Sequence, residues 1–239
     1  MKILALDTGQ KSCSVAILED EKTLLEMCDN RGMTHSHTVL EMIRQLLQRA
    51  DLSLSEIDAF ALTVGPGSFT GLRIGISAVK GLVFDSKQPI LPVSSLEALA
   101  ENVGYEGMIL PVMDARAGRV FGAVFEREAG ELRRLSEDQV LEIPEFIQLA
   151  AKMCEGKRAI LVGDGAKLCA NINDRADLNL LPTDHRSLAP LSAGAVGRVG
   201  RKKLESGEQT TAEALLPTYF QKPKAERMKE EATGRATGN

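Results

Sequence analysis

No run of 18 uncharged residues occurs anywhere in the chain, so nothing in it has the length and apolarity of a membrane-crossing helix. The opening residues MKILALDTG run directly into a strand pattern with no long apolar leader, and the expectation is a cytoplasmic protein with no membrane partner. Cysteine is sparse: Cys13, Cys28, Cys154 and Cys169 lie far apart without a C-x-x-C pair, which reads them as small buried hydrophobes in a reducing compartment. An excess of positive charge is missing too. The 29 Lys and Arg against 33 Asp and Glu leave a net charge of −4, not the footprint of a dedicated nucleic-acid binder. Of the three histidines, His35 and His37 are two apart and point to different faces of a helix, while His185 stands alone in a polar segment. No metal site is expected, and no nucleophile elbow, HExxH or Ser/His/Asp order is present.

What is there is an alternation of strands and helices long enough, at 239 residues, to form two lobes without disulfides or metals. Lys2–Leu6, Ser12–Leu18 and Thr23–Cys28 read as an antiparallel meander. From Ser36 the residues Val39, Leu40, Ile43, Leu46, Leu47 and Ala50 recur at helical spacing, with Thr34 or Ser36 as N-cap. Ala59–Val64 is a buried strand broken by Gly65-Pro66-Gly67; a helix from about Thr70 to Phe84 follows, then the strand Ile90–Val93 and a helix opened by Ser94 or Ser95. The order restarts after Glu106-Gly107. Met108–Met113 ends in Asp114 as the first strand ended in Asp7, strands Arg119–Glu126 and one after Gly130 follow, and Ala159–Val162 runs into Gly163-Asp164-Gly165. Such order is the trace of a duplication. The expected division is 1–105, 106–223 and a solvated tail 224–239.

Asp7-Thr8-Gly9 can place a carboxylate, a hydroxyl and N–H groups around a phosphate; it is equally good turn chemistry with no ligand at all. The glycine-rich stretch Val64–Lys80 fails both common nucleotide motifs, because its glycine spacing fits neither a Walker loop nor a dinucleotide fingerprint. What remains is a stiff turn, with Gly65, Pro66 and Gly67 letting backbone approach backbone and Ser68 or Thr70 capping the helix start. Gly71, Gly75 and Ala78 then share a face, beside Leu72, Ile76, Val79 and Val83. Two helical glycines, each costing roughly 1 kcal/mol relative to alanine, imply very close packing there. Either the chain's own sheet or another subunit supplies it. The basic run Arg198, Arg201, Lys202 and Lys203 reads first as a solvated helix end, with RNA contact the alternative.

ILALDTGQKSCSVAI, THSHTVLEMI, VGPGSFTGLRIGISAVKGL, PVMDARAGRVFGAVFE and LLPTYFQKP together resemble the TsaB (YeaZ) family. The resemblance covers nearly the whole chain up to Pro223. It implies an α/β fold of the actin/Hsp70-like (ASKHA) kind, with two duplicated lobes of mixed sheets and flanking helices. It also implies a non-catalytic accessory subunit, without catalytic residues or cofactor of its own. Such a subunit binds and activates the catalytic paralogue TsaD, with the ATPase TsaE, in forming N6-threonylcarbamoyladenosine at position 37 of tRNA. Contact with tRNA then comes only through the complex. The family's pairing surface, used with TsaD and for homodimers, maps here onto two helices: His35, Val39, Met42, Ile43 and Leu46 on the first, and Gly71, Leu72, Gly75, Ile76, Ala78, Val79 and Leu82 on the second. The sequence departs from an ATP-clamping member of the superfamily: Asp114 is followed by Ala115-Arg116 rather than a glycine turn. The alternative is an independent small-molecule kinase or ATPase of the same fold, resting on Asp7-Thr8-Gly9 and Asp114.

Overall fold

A computed structural model describes residues 1–32, 34–86, 88–171, 178–182 and 189–220; His185 and the tail 224–239 lie outside them. The first half builds β1 (Lys2–Asp7), β2 (Cys13–Glu19), β3 (Lys22–Asp29), α1 (His35–Ala50), β4 (Ala59–Gly65), α2 (Phe69–Leu82), β5 (Ile90–Ser94) and α3 (Ser95–Glu101). Its sheet runs β3-β2-β1-β4-β5, antiparallel through the meander and parallel from β1 to β4 to β5. Strand alternation sorts the side chains. Leu4, Leu6, Val15, Ile17, Phe60 and Leu62 face α1 and α2, whereas Ile3, Ala5, Ala16, Leu18, Ala59 and Ala61 face the middle of the molecule.

The second half adds β6 (Gly107–Arg116), β7 (Arg119–Gly122), β8 (Phe125–Glu128), β9 (Glu131–Arg134), β10 (Gln139–Glu142), α4 (Ile143–Cys154), β11 (Ala159–Val162), α5 (Ala166–Ala170) and α6 (Ala193–Glu205). The six strands form one sheet in which β6 pairs antiparallel with both β7 and β8, and parallel with β11. β10 continues the sheet beyond β7, and β9 beyond β8. Taking β7/β8 and β9/β10 each as one bent strand, the order is third-second-first-fourth, as in the first sheet. The repeat anticipated from the alternation of runs is therefore present in the topology.

One helix crosses between the halves. α6 comes late in the chain yet lies on the first sheet, where Gly197 and Gly200 allow near contact: a Cβ at Gly197 would stand 2.2 Å from Leu18 Cδ1, and one at Gly200 2.6 Å from the Ala61 Cβ. Small residues on both surfaces, Ala5, Ala16, Ala59 and Ala61 opposite Ala193 and the glycines, make this approach sterically feasible. The middle core also takes Ile109, Met113, Ala123, Phe125, Ile160 and Val162 from the second sheet. Polar groups tie the same junction. Glu101 on α3 accepts from Arg127 of β8 at 3.1 Å and pairs with Arg198 of α6 at 3.3 Å. The rest of the basic run is ion-paired as well: Arg201 with Glu21 and Glu205, Lys202 with Glu131 and Lys203 with Glu208. The run is half-buried and neutralised by acidic neighbours, not the freely solvated helix end that the sequence suggested.

Candidate functional site

At the C-terminal end of β1, Asp7 is fully buried. Its Oδ1 accepts from the Thr63 hydroxyl at 2.5 Å and from the Gly9 N–H at 3.0 Å, while Oδ2 has no partner among the described residues. Burial pushes the carboxyl up to about 6, against the lowering effect of the two bonds and of nearby His35. The turn that follows is covered by α2. The Thr8 hydroxyl donates to the Gly71 carbonyl at 2.8 Å, the Ser68 N–H donates to the Gly9 carbonyl at 2.7 Å, and the Ser68 hydroxyl caps α2 by accepting from the Gly71 N–H at 3.2 Å. Thr70, the other proposed cap, is exposed on the outer face. A Cβ at Gly67 would lie 2.6 Å from the Gly9 carbonyl oxygen, and one at Gly71 2.0 Å from that of Thr8. Gly65, with φ +131°, has the Thr218 carbonyl where a Cβ would point. Asp7-Thr8-Gly9 is thus engaged chiefly by the chain's own backbone.

The equivalent turn of the second half is closed too. The Asp114 N–H donates to Asp164 Oδ1 at 3.0 Å, and Arg116 pairs with the Asp114 carboxylate at 3.3 Å. The residues that would bracket a phosphate there instead bracket each other. Among the described residues, no three His, Cys, Asp or Glu side chains come together to hold a metal ion. Cys13, Cys154 and Cys169 are buried, and burial raises their thiols to about 12, 11 and 12. Cys28 departs from the expectation and is exposed on β3, because strand alternation turns it outward between half-buried neighbours.

The helix pair α1/α2 presents an apolar groove of about 510 Å³. Val39, Leu40, Phe69, Ile74 and Ala78 line it, with Arg73 at one edge and Ser36, Thr70 and Ser77 among its polar positions. Leu40 is 51% exposed. Of the twelve residues assigned to a pairing surface, only Val39 and Ala78 reach this groove. Met42, Ile43, Leu46, Ile76 and Val79 are buried in the core beneath, where Leu82 packs half-buried against them. Leu72 is buried against Gly9 and Gly65, and Gly71 and Gly75 press on Thr8. His35 is half-buried with Nε2 2.9 Å from the Gln10 carbonyl. These placements share one cause: the small-residue face of α2 is spent on its own sheet, so the face of the helix left exposed is the opposite one. At 100° per residue, Ile74 lies roughly 130° from the centre of the inward arc. From the sequence, such a residue shows that α2 carries a second apolar arc, though not which of the two arcs is buried.

The C-terminal segment joins this groove. The Thr218 N–H donates to the Val64 carbonyl at 2.7 Å, Tyr219 stacks on Phe69 with centroids 4.8 Å apart at 25°, and Phe220 meets Phe121 of β7 edge-on at 6.1 Å.

Two sheets of matching strand order, joined through a shared helical core, with both strand-end turns closed and an apolar helix pair open, define a protein of the actin/Hsp70-like (ASKHA) fold. Lmo2764 of Listeria monocytogenes shares that fold at TM-score 0.50 and 12% identity, over 86% of this chain and all of its own. The family model described as TsaD, tRNA N6-adenosine threonylcarbamoyltransferase, matches residues 31–228. The TsaB of Escherichia coli, called a tRNA threonylcarbamoyladenosine biosynthesis protein, is 28% identical over 225 residues, 92% of this chain and 94% of its own length. The solved structure of YeaZ from Pseudomonas aeruginosa is 30% identical at TM-score 0.76, over 91% of this chain and 99% of its own. The chain belongs to the TsaB (YeaZ) family.

Proposed function

We propose that this chain is an accessory subunit in the biosynthesis of threonylcarbamoyladenosine on tRNA, and that it acts in the cytoplasm by binding and activating a TsaD-type catalytic paralogue with the ATPase TsaE. Its contribution is a docking surface, and tRNA is reached only through the assembly. The observation that carries this reading is the exposed apolar α1/α2 groove on a chain whose family relatives bear the name of that pathway. In an aqueous protein such a patch, with half of Leu40 in solvent, is the mark of an interaction site.

Leu40→Glu tests it. A carboxylate at the groove's apolar wall has to be desolvated on pairing, so the affinity for purified cognate TsaD is expected to fall by about 30-fold or more, measured by titration calorimetry. Threonylcarbamoyl transfer in a reconstituted mixture falls towards its level without this chain. Since Leu40 is exposed in the monomer, its melting temperature should hardly move. Unchanged affinity and unchanged transfer would remove the surface from consideration.

A kinase or ATPase reading keeps one observation in its favour, the unpartnered buried Asp7 Oδ2. Against it stands the covering of Thr8 and Gly9 by α2. Calorimetry with Mg-ATP on the isolated chain separates the two, since turnover by the chain alone belongs only to the kinase or ATPase.

A further inference from the structure

One side chain at the groove is held in an unusual way. Arg73, on the outer face of α2, lies with its Cζ 3.9 Å above the Phe69 ring centroid and 5.8 Å from that of Tyr219. Its Nε donates to the Tyr219 hydroxyl at 2.8 Å. Tyr219 is itself fixed by the Phe69 stack and by the backbone bond from Thr218 to Val64. An exposed arginine ordinarily moves through many rotamers; here cation–π contact on one side and a hydrogen bond at Nε hold the guanidinium plane. The two Nη atoms have no partner among the described residues, and no acidic side chain lines the groove. Arg73 is the single charged residue on an otherwise apolar and hydroxyl-bearing lining.

We propose that the Tyr219–Phe69–Arg73 stack is a preformed carboxylate receptor at the edge of the α1/α2 groove. Its occupant is a partner helix carrying an Asp or Glu beside its apolar anchors. The inference rests on the groove being the pairing surface and adds what the partner must present there. A guanidinium fork meets a carboxylate with two parallel N–H···O bonds, and the ordering of a long side chain, usually a cost of association, is already complete before binding. Tyr219 acts through Arg73 and is a positioning residue. The C-terminal segment 215–220 therefore belongs to the interface although it is far from α2 in sequence.

The experiment titrates the full chain and its variants against purified cognate TsaD at two salt concentrations, with melting curves of each variant alone. Arg73→Ala is expected to weaken binding about tenfold and to flatten its salt dependence, and Arg73→Lys about fivefold, because an ammonium keeps the charge and loses the fork. Tyr219→Ala is expected to approach the Arg73→Ala value even well below its melting temperature, while Tyr219→Phe, which keeps the ring stack, recovers most of the affinity. A purely structural role for Tyr219 would lower the melting temperature and leave affinity and salt slope alone, and that result would overturn its part. If Leu40→Glu abolishes pairing while Arg73→Ala and Arg73→Glu bind as the wild type does, the groove stands and the carboxylate receptor is wrong. If Leu40→Glu has no effect either, the groove itself is not the surface. Weakened self-association with unchanged TsaD affinity would overturn the assignment by making a second copy of this chain the occupant.

Discussion

Gly71→Ala is expected to lower the stability of the isolated chain by about 3 kcal/mol, even though alanine is the better helix former by roughly 1 kcal/mol. The added methyl would stand 2.0 Å from the Thr8 carbonyl oxygen. That atom is backbone, held at the end of β1, so no rotamer change relieves the clash. Either α2 lifts off the sheet or the Asp7–Gly9 turn shifts, and both disturb the bonds from Thr8 to Gly71 and from Ser68 to Gly9. For a chain of this size the melting temperature drops by roughly 8 °C. Gly81→Ala is the control: it lies in the same helix with nothing within 4 Å of its Cβ position, and is expected to be neutral or to stabilise by up to about 1 kcal/mol. Equal melting temperatures for the two variants would contradict the packing of α2 on Thr8. The same geometry makes a bulky residue at Gly75 a fold-breaking change, since its Cβ would lie 2.4 Å from the Thr8 Oγ1.

Asp7 supplies the second large effect, and its sign is opposite to that of most carboxylates. Burial lifts its folded-state value to about 6 from an ordinary 3.8, so the folded protein holds the proton more tightly than the unfolded chain does. Stability linked to this group is present below pH 4 and is lost as pH rises towards 6, a change on the order of 3 kcal/mol that is complete near pH 7. Asp7→Asn keeps an acceptor for Thr63 and Gly9 and removes the titration. The stability difference between variant and wild type is therefore expected to shift in the variant's favour by about that amount from pH 4 to pH 7, followed by denaturant unfolding at each pH. Asp29 and Glu41, held at about 2 by their arginine partners, titrate below this window and are common to both proteins. A pH-independent difference would show that Asp7 is solvated, and the covered turn would have to be abandoned.

Closure of the Asp7 turn also bears on function. Binding a phosphate at Thr8 and Gly9 would require displacing the first turn of α2, whose capping and backbone bonds hold it there. In the second half, Asp164 and Arg116 occupy the comparable position. The open apolar groove and the closed turns are parts of one arrangement, because the helix that seals Thr8 with its small face offers Phe69, Arg73 and Ile74 with its other.

Local pattern alone determined a good deal of this protein. The strand alternation of Lys2–Cys28, the helical spacing after Ser36 and the glycine break after Val64 depend only on which residues prefer which backbone and on solvent lying to one side of each element, and these elements form where the pattern puts them. The duplicated order was legible for the same reason, and the motifs of Val64–Lys80 pointed to the family. Tertiary structure alone decided which way α2 faces. Two apolar arcs, one rich in glycine and one holding Phe69 and Ile74, both satisfied helical periodicity, and close approach to Thr8 selected the first for the interior because only glycine leaves room there. It also decided that α6 lies on the first sheet and that Tyr219 reaches Arg73 across 146 residues of sequence. No local signal encodes such contacts, since they arise from surfaces that meet only once the two sheets have been assembled.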